Sequence, residues 1–96
     1  MPYAELLTDA QITDGLRNLP AWERDGDAIR RTLRLADFRA AIAFVERVAG
    51  VAEGANHHPE IAVRWNRVTL TLTTHAAKGL TRKDLDLAAE IDRLVT

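Results

Sequence analysis

The sequence has no cysteine, no long apolar run and no excess of charge of either sign, and each absence closes a class of function. Without cysteine, disulfides, thiolate metal sites and cysteine nucleophiles are excluded. The 13 basic and 14 acidic side chains leave a formal net charge of −1, which offers no basic field for non-specific nucleic-acid binding. No nucleic-acid partner is therefore expected. No stretch reaches the roughly 18 consecutive apolar residues that cross a bilayer, so no membrane partner is expected either. The opening Met1-Pro2-Tyr3-Ala4-Glu5 lacks the charged and then apolar regions of a signal peptide, and the expected location is cytoplasmic. A glycine-rich phosphate loop, a nucleophile elbow and a dinucleotide fingerprint are all missing.

What remains is an ordinary globular composition, 47% apolar and 28% charged over 96 residues, read as one domain spanning 1–96. Thr8 to about Leu19 reads as a first helix, with Thr8 as cap, Gln11 completing a capping box and Pro20 beyond its end. Trp22 to Asp25 and Ala28 to Leu35 read as a strand pair around Asp25-Gly26. Ile29, Leu33 and Leu35 share one face of the second strand, and Arg30, Thr32 and Arg34 share the other. Asp37 to about Ala52 is a helix whose stripe is Phe38, Ala41, Ile42, Val45, Val48 and Ala49. A loop spans Ala55 to Pro59. Ile61 to Trp65 and Arg67 to Thr74 form a second strand pair turning near Asn66. Thr81 caps a last helix, with Asp84 at its third position and Leu87, Ala88, Ile91 and Leu94 on its buried face. The predicted fold is α+β: a four-stranded antiparallel sheet with three helices on one face, in the order α-β-β-α-β-β-α.

The chemistry concentrates in the three histidines, His57, His58 and His75. Histidine titrates nearest physiological pH and can both donate and accept a proton there. Strand alternation puts His75 on the polar face of Thr69, Thr71 and Thr73. A metal centre is the weaker reading, because in an extended segment His57 and His58 point to opposite sides; no metal is expected. Glu53 stands four positions before His57 and can orient it if the helix continues that far. The plainer alternative is a solvated helix-end carboxylate. Asp84 likewise reads first as the acid of a capping box, and Trp22 and Trp65 as core or as stacking surfaces. The Arg30, Arg31 and Arg34 cluster reads as a solvated or intersubunit face rather than a nucleic-acid patch.

Glu53, His57-His58-Pro59, Trp65, His75 and Asp84 together match the motif of a known family, and the chain resembles the pterin-4a-carbinolamine dehydratases. The likeness extends to Leu19-Pro20-Ala21-Trp22 with Asp25-Gly26-Asp27, to Asp37-Phe38 with Ala43-Phe44, to Thr73-Thr74-His75 and to Gly79-Leu80-Thr81. It departs from animal members at Asn56, where they often carry an acid, and at Ile61, where they usually carry an aromatic. The resemblance implies dehydration of a 4a-hydroxytetrahydropterin to the quinonoid dihydropterin, in tetrahydrobiopterin recycling, without metal or bound cofactor. It implies that His57 and His75 are the acid–base pair and that His58 binds or orients the pterin. Glu53 and Asp84 would position the histidines, and Trp22 would contribute to the pocket wall. It further implies a homodimer or homotetramer, with an aromatic amino-acid hydroxylase or a regulatory protein as a further partner. The alternative function is a non-catalytic protein-binding module on the same fold, a transcriptional coactivator or an enzyme-assembly factor.

Overall fold

The computed structural model describes residues 5–95. Met1 to Ala4, read above for a leader pattern, lie outside the described residues, as does Thr96. The elements run α1 (Asp9–Leu16), β1 (Glu23–Asp25), β2 (Ala28–Arg34), α2 (Phe38–Ala55), β3 (Glu60–Arg64), β4 (Arg67–Leu72), a 3₁₀ turn (His75–Ala77) and α3 (Arg82–Arg93). This is the expected order, in a single antiparallel sheet of strand sequence β1-β2-β4-β3.

Alternation along β2 and β4 sets the two faces. Ile29 and Leu33 lie beside Leu72 and Val68, and with Leu70 they form the sheet's contribution to the core. Burying a side chain such as Leu70 contributes about 1.5–3 kcal/mol, which makes this face the one the helices must cover. All three helices do so, through Ile12 of α1, Ala41, Phe44 and Val48 of α2, and Leu85, Leu87, Ala88 and Ile91 of α3. The opposite face carries Arg30, Thr32 and Arg34 beside Thr71, Thr69 and Arg67.

Local signals explain most boundaries. Thr8 and Gln11 form the expected capping box of α1. That helix ends at Leu16 rather than near Leu19, because Arg17, Asn18 and Leu19 bond three residues back and tighten the chain into turns. The first hairpin pairs Asp25 with Ala28, so its loop is Gly26-Asp27, one residue later than expected. Gly26 takes the positive φ of 62° that such a loop requires.

The α2 stripe differs from expectation. Ala41, Phe44, Val48 and Ala52 are buried, while Phe38 and Ile42 are exposed. At about 100° per residue, Phe38, Ile42 and Ala49 sit roughly 60–100° round the helix from Ala41. The apolar arc is thus wider than the buried arc, and periodicity cannot say which edge meets the sheet. The arginine cluster also separates. Arg31 projects to the helix side and pairs with Asp92, whereas Arg30 pairs with Asp25 on the outer face.

Candidate active site

The site starts with the way α2 stops. Asn56 adopts a left-handed conformation at φ 51°, which an asparagine tolerates better than most residues. Two backbone bonds close the end, His57 N–H to Ala52 O at 3.1 Å and Asn56 N–H to Glu53 O at 3.2 Å. This 6→1 and 5→2 pair is the Schellman arrangement. It turns the chain sharply and fixes the backbone of His57 before Pro59 leads into β3.

His57 reaches inward from that turn. Its Nε2 lies 2.6 Å from Asp84 Oδ1. Asp84 is fully buried at 0% side-chain exposure and His57 is 11% exposed. The other carboxylate oxygen, Oδ2, accepts from Thr81 N–H at 2.9 Å and from the Thr74 hydroxyl at 2.8 Å. Thr74 and Thr81 hydroxyl oxygens are 2.8 Å apart. Because Thr74 gives its proton to Asp84, the Thr81 hydroxyl must donate to Thr74 while accepting from Lys83 N–H at 3.2 Å. Every donor in the network therefore points toward one carboxylate. Asp84 both caps α3 and holds His57, with one oxygen for each task.

An acceptor-only carboxylate on Nε2 assigns that nitrogen the proton. Nδ1 is then the nitrogen left to accept a hydrogen bond, and none reaches it from the described residues. This is the general logic of a carboxylate-oriented histidine base.

His58 is arranged differently. Its Nε2 lies 2.6 Å from Glu53 Oε2, with the two side chains 57% and 76% exposed. The helix does continue to Glu53, but the contact goes to His58 and not to His57. Five residues separate this pair, and the turn at Asn56 swings His58 back over the last turn of α2.

β4 ends at Leu72 and His75 begins a 3₁₀ turn, yet the alternation carries through the extended Thr74: Thr74 is buried as Leu72 is, and His75 is exposed. The turn is clasped at its ends by Thr74 N–H to Gly79 O at 3.0 Å and by Gly79 N–H to Thr74 O at 3.3 Å. A Cβ on Gly79 would meet the end of the exposed Leu6 side chain at 2.8 Å, so the turn packs closely under Leu6. His75 is exposed and covalently next to Thr74, one residue from the Asp84 network. Trp22 is buried in the core and donates its indole N–H to Asp92 at 2.8 Å. No hydrogen bond joins it to the histidines among the described residues.

Thr74 is the residue that sequence reasoning missed. It continues the in-phase series Val68, Leu70, Leu72, and a hydroxyl on a core-facing position must find a partner there. That phase was its signal. Among the described residues no three His, Asp or Glu side chains are grouped as metal ligands, and no helix is long and apolar enough to cross a membrane.

The family model described as pterin 4 alpha carbinolamine dehydratase matches residues 5–94. A protein of Nocardia farcinica named "Putative pterin-4-alpha-carbinolamine dehydratase" is 57% identical over 90 residues, covering 94% of this chain and 95% of its own length. A protein of Roseiflexus castenholzii with the same name is 54% identical over 92 residues, covering 96% of this chain and 99% of its own length. Among solved structures, a transcriptional coactivator/pterin dehydratase from Brucella melitensis superposes with a TM-score of 0.89 at 34% identity, covering 94% of this chain and 98% of that one. A pterin dehydratase-like protein described as a RuBisCO assembly factor in the alpha-carboxysome shares the fold alone, at 22% identity and a TM-score of 0.66 over 77% of this chain and 88% of that one. On this match over nearly its whole length, the chain belongs to the pterin 4 alpha carbinolamine dehydratase family.

Proposed function

We propose that the protein is a hydro-lyase that dehydrates 4a-hydroxytetrahydrobiopterin, or a closely related 4a-hydroxytetrahydropterin, using His57 and His75. The observation that carries this reading is the fully buried Asp84, 2.6 Å from His57 Nε2 and held by Thr74 and Thr81. A protein gains little from burying a carboxylate against a histidine unless the histidine's orientation matters. In the reaction the bond from C4a to the hydroxyl oxygen breaks, a proton joins that oxygen to release water, and the N5 proton departs. The electron pair of the N5–H bond becomes the new C4a=N5 bond. His57, whose Nδ1 meets no hydrogen-bond partner among the described residues and which has Asp84 behind it, takes the N5 proton; exposed His75 delivers the proton to the oxygen. Each transfer contributes about 10²–10⁴-fold. His58, with Glu53 beside it, orients the pterin at the rim. The pterin is substrate, and no further cofactor is required by these steps.

The test is stopped-flow formation of dihydropterin from freshly generated carbinolamine, with chelator-treated protein. Acceleration over the spontaneous reaction, lost in folded His57→Ala and His75→Ala proteins, is the expected result. Equal rates in those variants would sink the acid–base assignment.

A second reading, a protein-binding role, is favoured by exposed Phe38 and Ile42 on α2 and by the coactivator description of the Brucella neighbour. The same apolar edge suits the homodimer or homotetramer expected above. Ile42→Asp would then lower the mass seen in sedimentation velocity.

A further inference from the structure

We propose that the end of the sheet remote from His57 carries an anion site, in which Arg34, Arg64 and Arg67 grip a phosphate group and Trp65 stacks on a flat ring attached to it. Arg67 sits directly between the other two, opposite Arg34 on β2 and opposite Arg64 on β3. Adjacent strands are about 4.8 Å apart, so three guanidinium stems leave one face of the sheet side by side. With Trp65 and Asn66 they line a cleft of about 280 Å³.

Four arginines pair with carboxylates, Arg17 with Asp14, Arg24 with Asp9, Arg30 with Asp25 and Arg31 with Asp92; Arg39, Arg47 and Arg82 form no such ion pair among the described residues, but they stand apart from one another on the helices rather than in a row. Arg34, Arg64 and Arg67 have no acidic partner among the described residues, although the chain holds 14 carboxylates. Like charges placed directly opposite on neighbouring strands are unfavourable. Here they recur across both strand pairs.

The adjoining turn adds two further local conflicts. Trp65 takes a positive φ of 51°, the position that glycine fills in the first hairpin, and its side chain lies out at 67% exposure. Asn66, which ties the turn to β2 by donating to Leu35 O at 3.0 Å, keeps its Oδ1 buried with no partner among the described residues. Three independent departures from local consistency thus border one cleft. Natural sequences concentrate such departures where a site requires them.

The chemistry points to phosphate. Three guanidinium groups offer planar forks that match a tetrahedral oxyanion, and arginine discriminates such groups by geometry as well as charge. Exposed tryptophan beside arginine is the arrangement that holds a base or other heterocycle by its face. The site is distinct from the histidines. Arg67 opens β4 and Thr74 lies two residues beyond its end, about 23 Å away at about 3.3 Å per residue. Arg67 lies on the outer face, and Thr74 and Asp84 lie on the helix side.

The experiment is isothermal titration at low salt of the full chain with pyrophosphate and with guanosine diphosphate, alongside thermal unfolding. Wild type binds both, and affinity falls as salt rises. Arg67→Gln weakens both by about 10- to 100-fold, as for loss of charge-assisted bonds. It also melts higher than wild type in the absence of ligand, since the central like charge is gone. Trp65→Gly weakens guanosine diphosphate but not pyrophosphate, which separates the ring from the phosphate. Absence of saturable binding by wild type, or unchanged binding in Arg67→Gln, would overturn the proposal. So would a dimer that Arg67→Gln converts to monomer with no ligand effect, since the row would then be a contact between copies. Dehydratase activity stays at wild-type level in Arg67→Gln, so the outcome does not depend on the proposed reaction.

Discussion

His57 and His58 are neighbours in sequence, and each has a carboxylate oxygen 2.6 Å from its Nε2. By distance the pairs are identical; by environment they are opposites. Asp84 is sealed from water and bound by two further groups, the Thr74 hydroxyl and the Thr81 N–H, whereas Glu53 stands in solvent at the end of α2. Coulomb attraction at a given separation is several times stronger at an effective dielectric near 20 than in bulk water, and exposed pairs are also screened by salt. An exposed pair such as His58–Glu53 contributes about 0–1 kcal/mol. The buried pair instead determines the direction and tautomer of an imidazole. Proximity in a contact list does not distinguish an oriented base from a rim contact; burial and the remaining hydrogen bonds do.

The largest break in this comparison comes from Asp84→Ala. It removes the α3 capping acid and leaves Thr74, Thr81 N–H and His57 without their acceptor. Urea unfolding should show a loss of about 3–5 kcal/mol, the usual result of deleting one member of a buried polar pair. Stability within about 0.5 kcal/mol of wild type would mean that the network is not sealed from water. Asp84→Asn, which keeps the shape, should retain the fold and lower kcat by at least about 10²-fold, because the amide no longer enforces a bare Nδ1.

Thr74→Val is the next step down. Valine fills the same volume without the hydroxyl, so it removes the bond donated to Asp84 and leaves the Thr81 hydroxyl without its acceptor, a deficit of about 2–4 kcal/mol in thermal or denaturant unfolding. It should also reduce dehydratase turnover less than Asp84→Asn does, since Thr81 still holds the carboxylate. A turnover loss equal to that of Asp84→Asn would assign Thr74 a larger share of His57's orientation than one hydrogen bond carries.

A double-mutant cycle sharpens the contrast directly. His57→Ala with Asp84→Asn should give a coupling energy of at least about 1.5 kcal/mol, and His58→Ala with Glu53→Gln one below about 0.5 kcal/mol that vanishes in high salt. Comparable couplings for the two pairs would erase the distinction drawn from burial. The smallest expected effect is Glu53→Gln alone: stability unchanged within about 0.5 kcal/mol, with any kinetic change confined to KM for the pterin.

Much of this architecture was legible in the chain. The Thr8–Gln11 and Thr81–Asp84 boxes, the alternation through Val68, Leu70 and Leu72, and the buried face of α3 are local patterns with local causes, and they appear where the residues place them. The α2 face was not legible, because its apolar arc exceeds the surface the sheet can cover. Nor was the 3₁₀ turn at His75, since it is closed by the Thr74–Gly79 bridge, a contact that the alternation through β4 does not encode.

The sequence by itself determined the order of elements, the caps, the two hairpins and the presence of three histidines near short turn signals, because these depend on backbone propensity and on side chains a few positions apart. Tertiary structure alone decided which carboxylate meets which histidine. It drew Thr74 and the Thr81–Asp84 cap against His57, left Glu53 to His58, and set Arg34 beside Arg64 and Arg67. Those partners lie on different elements, and only the packing of α3 against β4 and the pairing of β2 and β3 with β4 bring them within reach.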